Sequence, residues 1–144
     1  DVLAAFCETF HFEGQGLLEA LRMFLSSFRL PGEAQQIDRI VQAFAESAIA
    51  RCKEGKEGFF SDDPKRAADG AYLLSFSIIM LNTDQHNDNI AQHRKMSADD
   101  FFRNNTNYGR DITDPGRELR REFLYGIFDS IRSEPLRTEG EGAE

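Results

Sequence analysis

Apolar residues recur along most of this chain at spacings of three and four, and period-two alternation is absent. Spacings of three and four place apolar side chains on one face of an α-helix, whereas a half-buried strand needs strict alternation. Clear examples lie in residues 17–28, 37–49 and 119–131. The sequence therefore predicts an all-α domain of about six helices with no sheet.

Glycine, proline and polar stretches separate the predicted helices. Ser97, followed three residues later by Asp100, predicts a capping box before the fifth helix. Asp114-Pro115 places a cap residue before a proline at the first position of the sixth helix, which Pro135 ends. Residues 53–66 and 82–89 are predicted to be loops. The first four helices are predicted at about residues 2–10, 17–28, 34–52 and 67–81.

Composition excludes several classes of protein. The 144 residues are 40% hydrophobic and include 13 Phe, enough for one globular core and too many for a disordered chain. Acids outnumber bases 25 to 17, so a basic face for nucleic acid is not expected. The apolar stretch Ala71–Leu81 is too short to span a bilayer. Cys7 and Cys52 are predicted to be buried free thiols of a cytoplasmic protein, rather than a disulfide.

No cofactor or metal is predicted. The chain has no phosphate-binding GxxxxGK[ST] loop. Asp84, His86 and Asp88 alternate like the start of a calcium loop, but Asn89 replaces the required glycine and Lys95 the required glutamate. A helical hydrolase that uses Asp84, His86 and Asp88 remains as a remote alternative.

Two stretches carry alternative interpretations. In Arg-Leu-Pro-Gly-Glu-Ala-Gln, Glu33 follows a stiff Pro-Gly turn at the start of a helix. Its carboxylate either stabilises the positive end of the helix dipole, by about 0.3–1 kcal/mol, or is held outward as a probe for a charged partner. Ala71–Leu81 is apolar around the whole helix axis, which is typical of a buried central helix or of the floor of a partner-binding groove.

Longer motifs carry a family resemblance. Phe28–Arg39 (FRLPGEAQQIDR) resembles the first signature of the Sec-seven domain, the exchange module of the Arf guanine-nucleotide exchange factors, and Ala71–Asn87 (AYLLSFSIIMLNTDQHN) resembles the second. Met96–Asn105 and Phe123–Ile131 are similar to later parts of that domain. The likeness covers nearly the whole chain apart from its tail, and it is nearest to the large Golgi-acting subclass of GNOM- and Gea-like factors.

The resemblance implies a right-handed superhelix of α-helices that speeds GDP release from an Arf-family small GTPase without covalent chemistry. The GTPase would bind in its GDP-bound and nucleotide-free states. Glu33 matches the glutamic finger, which opposes the β-phosphate and displaces Mg²⁺. Asp38 matches a charged residue near the finger, and Asn87 a polar residue that orients the contact. The apolar groove for the switch regions matches Tyr72, Phe76, Ile79 and Met80.

Brefeldin-type inhibitors bind the same interface in this family, and the matching positions are Phe76, Ser77, Asp84 and Met96. Three of these resemble the sensitive pattern, whereas Phe76 stands where sensitive members often have Tyr.

The resemblance also implies a domain division and a location. Residues 1–134 correspond to the C-terminal two-thirds of such a domain, and residues 135–144 to an acidic flexible tail. An alternative is a helical module that binds an Arf-like GTPase without exchange, because the domain is truncated. The full-length protein is expected to be cytoplasmic and peripherally associated with Golgi or endosomal membranes. Membrane contact would come only through flanking domains or the GTPase.

Overall fold

α-Helices and the loops that join them make up residues 2–27, 34–56, 61–109 and 120–137, the parts of the chain that the computed structural model describes. No residue in these ranges lies in a strand, and the predicted all-α fold is confirmed. Six helices of seven or more residues correspond to the six predicted ones, and a one-turn helix, α4, lies in the predicted loop 53–66. The helices are α1 (Val2–Glu8), α2 (Leu17–Leu25), α3 (Ala34–Ile49), α4 (Lys53–Lys56), α5 (Pro64–His86), α6 (Ala98–Gly109) and α7 (Arg121–Ser133).

Helix α5 is central, because α2, α3, α6 and α7 all pack against it. Its contribution to the core includes Leu74, Ile78 and Leu81, which are almost completely buried. A second part of the core is aromatic. Phe24 and Phe44 lie 5.1 Å apart between ring centroids, and Phe10 and Phe12 continue the same cluster.

Both cysteines are buried thiols that form no disulfide, as the sequence predicts. Burial raises the pKa of the Cys7 thiol, so the reactive thiolate is disfavoured at neutral pH.

Two arginine side chains donate hydrogen bonds to carbonyl groups at the ends of helices and so connect these ends to other parts of the fold. Arg22 of α2 donates hydrogen bonds to the carbonyl oxygens of Ser130, Glu134 and Pro135 at 2.9–3.2 Å, at the C-terminal end of α7. A cation stabilises this end because the last carbonyl groups of a helix lack intrahelical donors. Arg51 does the same for α1, since it donates to the carbonyl oxygens of Cys7 and Phe10 and lies over the Phe12 ring.

Helix α5 is longer at both ends than the sequence predicts. At its start, the Asp63 carboxylate accepts a hydrogen bond from the Arg66 backbone N–H at 3.1 Å, and Pro64 occupies the first helical position. The same Asp-Pro pattern occurs at Asp114-Pro115, which lies outside the described residues; the prediction that the sixth helix begins at Pro115 is wrong for α7, which begins at Arg121 after its extended N-cap Arg120. Asp63-Pro64 is an equal signal for the start of a helix, but the glycines and charges of residues 53–66 favour a loop.

The predicted loop at 82–89 is wrong for its first five residues, because α5 continues to His86. The polar side chains there bond to other parts of the fold. Asn82 Oδ1 accepts from the Leu136 backbone N–H at 2.8 Å, and the His86 imidazole contacts the Ile131 carbonyl oxygen at 2.6 Å. A helix tolerates such residues when tertiary partners satisfy their side chains.

The start of α6 agrees with the sequence. Asp100 N–H donates to Ser97 Oγ, and Ser97 N–H donates to Asp100 Oδ2, both at 3.1 Å. These two bonds form the predicted capping box. The Ser97 backbone N–H, and after it the Ser97 hydroxyl, lower the pKa of the Asp100 carboxyl, because hydrogen bonds from these donors favour its charged form.

Packing continues past α7. Leu136 is buried, and its backbone N–H and the neighbouring Pro135 carbonyl are held by α5 and α2 respectively. The tail that the sequence analysis starts at residue 135 therefore includes two residues that belong to the packed part of the chain.

Candidate functional site

The two sides of α5 have different surroundings. Its core side is formed by Ala67, Ala71, Leu74, Ile78, Leu81 and others that are buried. Residues 72, 76, 79 and 80 project within about 100° of one another on the opposite side of the helix, whereas Asn87 follows its last helical residue. Tyr72, Phe76 and Ile79 are half-buried, and the Met80 side chain is 58% exposed. Met80 is the one large hydrophobic residue exposed to this extent among the described residues. The side of α5 that faces away from the core is therefore also apolar.

A cavity of about 320 Å³ lies on this side of α5. Five of the residues proposed from the sequence line it, together with Leu73 and Asn104. The five are Tyr72, Phe76, Ser77, Met80 and Met96. The Tyr72 and Phe76 rings lie 6.2 Å apart between centroids and form one wall. The structure thus brings groove candidates and inhibitor-site candidates together around one apolar depression, which we call the α5 groove.

Asp38 lies on α3 and meets the α5 groove through Tyr72. The Tyr72 hydroxyl donates a hydrogen bond to Asp38 Oδ1. This bond, with partial burial, raises the pKa of the Tyr72 phenol to about 12. Glu33 lies outside the described residues, directly before Ala34, where α3 begins.

Asn87 caps the C-terminal end of α5, and its Oδ1 accepts from the Asn89 backbone N–H at 2.9 Å. It lines a second, more polar depression of about 400 Å³ with Asn82, Thr83, His86 and residues 135–137. Asn87 is therefore seven residues, about two helical turns, beyond Met80, and it does not line the cavity of the α5 groove.

Asp84 contacts the segment that carries Met96. Its Oδ2 accepts hydrogen bonds from the Met96 backbone N–H at 2.7 Å and from Gln85 Nε2 at 2.9 Å. His86 contacts α7 instead, so Asp84 and His86 do not converge on one point. The remote hydrolase alternative therefore has no assembled set of catalytic groups among the described residues.

The match to known families agrees with this geometry. The family described as "Sec7 domain" matches residues 1–136, and Leu136 is the last buried residue described. The chain belongs to the Sec7 domain family. Relatives of this Sec7 domain include a protein named ADP-ribosylation factor guanine nucleotide-exchange factor SEC7, from Saccharomyces cerevisiae. It is 43% identical over 136 residues, which are 94% of this chain and 6% of that protein.

A second relative is ARF guanine-nucleotide exchange factor GNOM from Arabidopsis thaliana, which is 42% identical over 97% of this chain and 8% of its own length. Among solved structures, one described as ARF1-GDP bound to a Sec7 domain complexed with brefeldin A matches with a TM-score of 0.73 and 36% identity. That match covers 95% of this chain and 62% of the other. This Sec7 domain spans only a small part of the length of its curated relatives.

Sequence reasoning missed one residue at this site. Gln85 is buried and its amide contacts both Asp84 and Met96, but the sequence analysis places it in a loop. Its signal was its spacing from Leu74, Ile78 and Leu81, which continues the core side of α5 by one turn.

Among the described residues, every helix is too short or too polar to span a bilayer.

Proposed function

We propose that this Sec7 domain accelerates the release of GDP from Arf-family GTPases. The observation that carries the proposal is the α5 groove, an apolar surface on the side of the central helix that faces away from the core. Tyr72, Phe76 and Met80 line it, and they are three of the four residues that the family resemblance assigns to binding of the GTPase switch regions; the fourth, Ile79, does not line the cavity. The names of the relatives, and the ARF1-GDP in one matching structure, support the choice of GTPase.

In this proposal Tyr72, Phe76, Ile79 and Met80 bury apolar side chains of the switch regions. A ligand shifts a conformational equilibrium only by its difference in affinity for the two states. The α5 groove would supply that difference by binding the switch regions in the open, nucleotide-poor conformation better than in the closed one. Met80 contributes most area, since over half of its side chain is available to a partner.

Glu33 is the proposed glutamic finger. Its carboxylate would enter the nucleotide site of the GTPase, oppose the β-phosphate and displace the GTPase's Mg²⁺. Two unit charges about 4 Å apart repel by roughly 4 kcal/mol at an effective dielectric constant near 20. At 1.36 kcal/mol per factor of ten, this repulsion corresponds to about a thousandfold in rate. One carboxylate is therefore sufficient for a large acceleration.

Asp38 and Asn87 are proposed to orient the GTPase, one beside the α5 groove and one beyond it. The Tyr72 hydroxyl bond to Asp38 supports this role, because it fixes a carboxylate beside the first ring of the groove. Asn87 lies about two turns beyond Met80, where α5 ends and the second, more polar depression opens. The side-chain amide of Asn87 has hydrogen-bonding capacity beyond its bond to Asn89.

The inhibitor site is proposed at the same cavity. Phe76, Ser77 and Met96 line it, and Asp84 holds the backbone of Met96. A brefeldin-type molecule would bind there between the domain and the GTPase.

The wider setting belongs to the same proposal. Residues 1–134 would act as the C-terminal two-thirds of a Sec7-type exchange domain; of the acidic tail at 135–144, Pro135 and Leu136 pack against that domain. The full-length protein would associate peripherally with Golgi or endosomal membranes, through flanking domains or through the GTPase.

The test measures release of fluorescent GDP from ARF1, with and without the 144-residue chain. Acceleration that depends on the concentration of the chain supports the proposal. Binding of ARF1 without acceleration would support the alternative of a GTPase-binding module without exchange activity. If the chain neither binds ARF1 nor accelerates GDP release, both the proposed function and the alternative are contradicted.

A further inference from the structure

Met96 lies between a short 3-10 helix, Gln92–Arg94, and the start of α6, yet both of its backbone polar groups are held by side chains of α5. Its N–H donates to Asp84 Oδ2 at 2.7 Å, and its carbonyl oxygen accepts from Gln85 Nε2 at 2.8 Å. Two bonds on opposite sides of one residue fix the direction of its side chain. Met96 lines the α5 groove together with Ser77 and Met80.

Gln85 connects this arrangement. Its side chain is 8% exposed, and its Nε2 group donates to Asp84 Oδ2 at 2.9 Å as well as to Met96. A side-chain amide carries two N–H donors, and here both face acceptors. The Asp84 carboxylate that binds Met96 N–H is therefore itself held by Gln85.

Lys95 adds a third connection between the segment and the helix. Its Nζ donates to the backbone carbonyl oxygen of Gln85 at 2.6 Å, in the last turn of α5. A cation is favourable there because the last carbonyl groups of a helix lack intrahelical partners. Residues 95 and 96 are thus attached to two consecutive residues of α5.

The geometry points to Gln85 as a positioning residue that sets Met96 in the wall of the α5 groove and thereby raises affinity for the GTPase. This inference rests on the proposed function, and it adds a residue that does not itself contact the partner. Gln85 acts through Met96 and Asp84, so it affects binding rather than the electrostatic step assigned to Glu33.

Gln85→Glu is the sharpest variant, because it keeps the shape of the side chain while it removes both donors. It also places a second negative charge beside Asp84 and an oxygen against the Met96 carbonyl. Gln85→Met removes both donors without a charge and keeps a similar volume. The matched control is Gln92→Glu, the same chemical change at an exposed position of the same connecting segment.

Two measurements read the effect. The first is the KM and kcat for exchange on ARF1 loaded with fluorescent GDP. The second is the ¹³C methyl NMR resonance of Met96, assigned with Met96→Leu and compared with those of Met23 and Met80. We expect both Gln85 variants to shift the Met96 resonance and to raise KM about tenfold, with kcat within about twofold of wild type. Gln92→Glu should change neither quantity.

The inference is overturned if kcat falls while KM stays constant, or if the Met96 resonance stays in place. A shifted resonance with an unchanged KM also overturns it, since Met96 would then be held without serving the α5 groove. If thermal melts show that both Gln85 variants are unfolded, Gln85 belongs to the core and the inference fails. If the wild-type chain does not speed GDP release, the proposed function fails, and the methyl resonance alone decides whether Gln85 positions Met96.

Discussion

The Tyr72 hydroxyl on α5 donates a hydrogen bond to the Asp38 carboxylate on α3. The bond joins the two helices beside the α5 groove and ties together two residues that the family resemblance assigns independently to the GTPase contact. The hydrogen bond from Tyr72 holds the Asp38 carboxylate in one position at this edge of the α5 groove. This part of the candidate site therefore belongs to the packing of α3 against α5. The ionisation of the Tyr72 phenol can be measured directly.

The Tyr72 phenol should ionise near its raised pKa of about 12. Folding favours the neutral phenol, so this contribution to stability is complete below the ordinary tyrosine pKa of about 10 and is lost as the pH rises through about 12. Absorbance titration of tyrosinate would show the late transition. It should disappear in Tyr72→Phe and move to lower pH in Asp38→Ala. An unmoved transition in Asp38→Ala would show that Asp38 is not its cause.

Glu33→Lys should slow exchange by about a thousandfold, because a cation in the phosphate site stabilises bound GDP instead of opposing it. Helix content by circular dichroism and affinity for ARF1 should stay close to wild type. The control is Glu46→Lys, the same charge reversal at an exposed position of α3. A near wild-type exchange rate for Glu33→Lys would show that the finger is another residue.

Met80→Ala should weaken ARF1 binding about tenfold while it changes the free energy of unfolding by less than about 0.5 kcal/mol. Binding should weaken because Met80 is exposed on the α5 groove, and stability should change little because Met80 is not buried in the core. Leu81→Ala, at the next position, is the matched comparison. Leu81 is fully buried, so this variant should lose about 3 kcal/mol of stability. Calorimetric titration and urea unfolding measure the two effects. Equal destabilisation by both variants would place Met80 in the core.

Phe76→Tyr should strengthen inhibition by brefeldin A about fivefold, because a hydroxyl in the cavity offers one new hydrogen bond to the bound molecule. The exchange assay with increasing brefeldin A gives the half-inhibitory concentration. Phe102→Tyr makes the same change on α6, outside the residues that line this cavity, and should have no effect. Equal inhibition of wild type and Phe76→Tyr would exclude this ring from the inhibitor site.

Arg22→Met should lower the free energy of unfolding by about 2 kcal/mol, because the carbonyl groups at the end of α7 lose charge-assisted hydrogen bonds. Arg22→Lys should recover part of this loss, since an ammonium keeps the charge but not the fork of donors. Chemical denaturation measures both. Arg132→Met, at an exposed position of α7, should have little effect, and a comparable loss there would mean that any cation near this helix end matters.

Local signals in the sequence were sufficient for much of the fold. The stripe in residues 17–25 predicts α2, and the Ser97–Asp100 pair predicts its capping box, because both depend on residues within one or two turns. Asp63-Pro64 carried an equally local signal for the start of α5. The surrounding glycines and charges favour a loop, and they outweigh this signal in a prediction from the sequence.

The end of α5 could not be predicted in the same way. Residues 82–86 are polar, and their helical state depends on partners such as Ile131 and Leu136, which are about fifty positions away in the chain. The role of Gln85 depends on Met96 in the next segment for the same reason.

The amino-acid pattern by itself determined that the chain is helical, where most helices begin, and which motifs align with the Sec7 family, because periodicity and capping act over short distances. Only the tertiary structure decided which side of α5 is buried and which is left open. That choice depends on how α2, α3, α6 and α7 share the surface of one helix that is apolar all around, and a single helix cannot specify it.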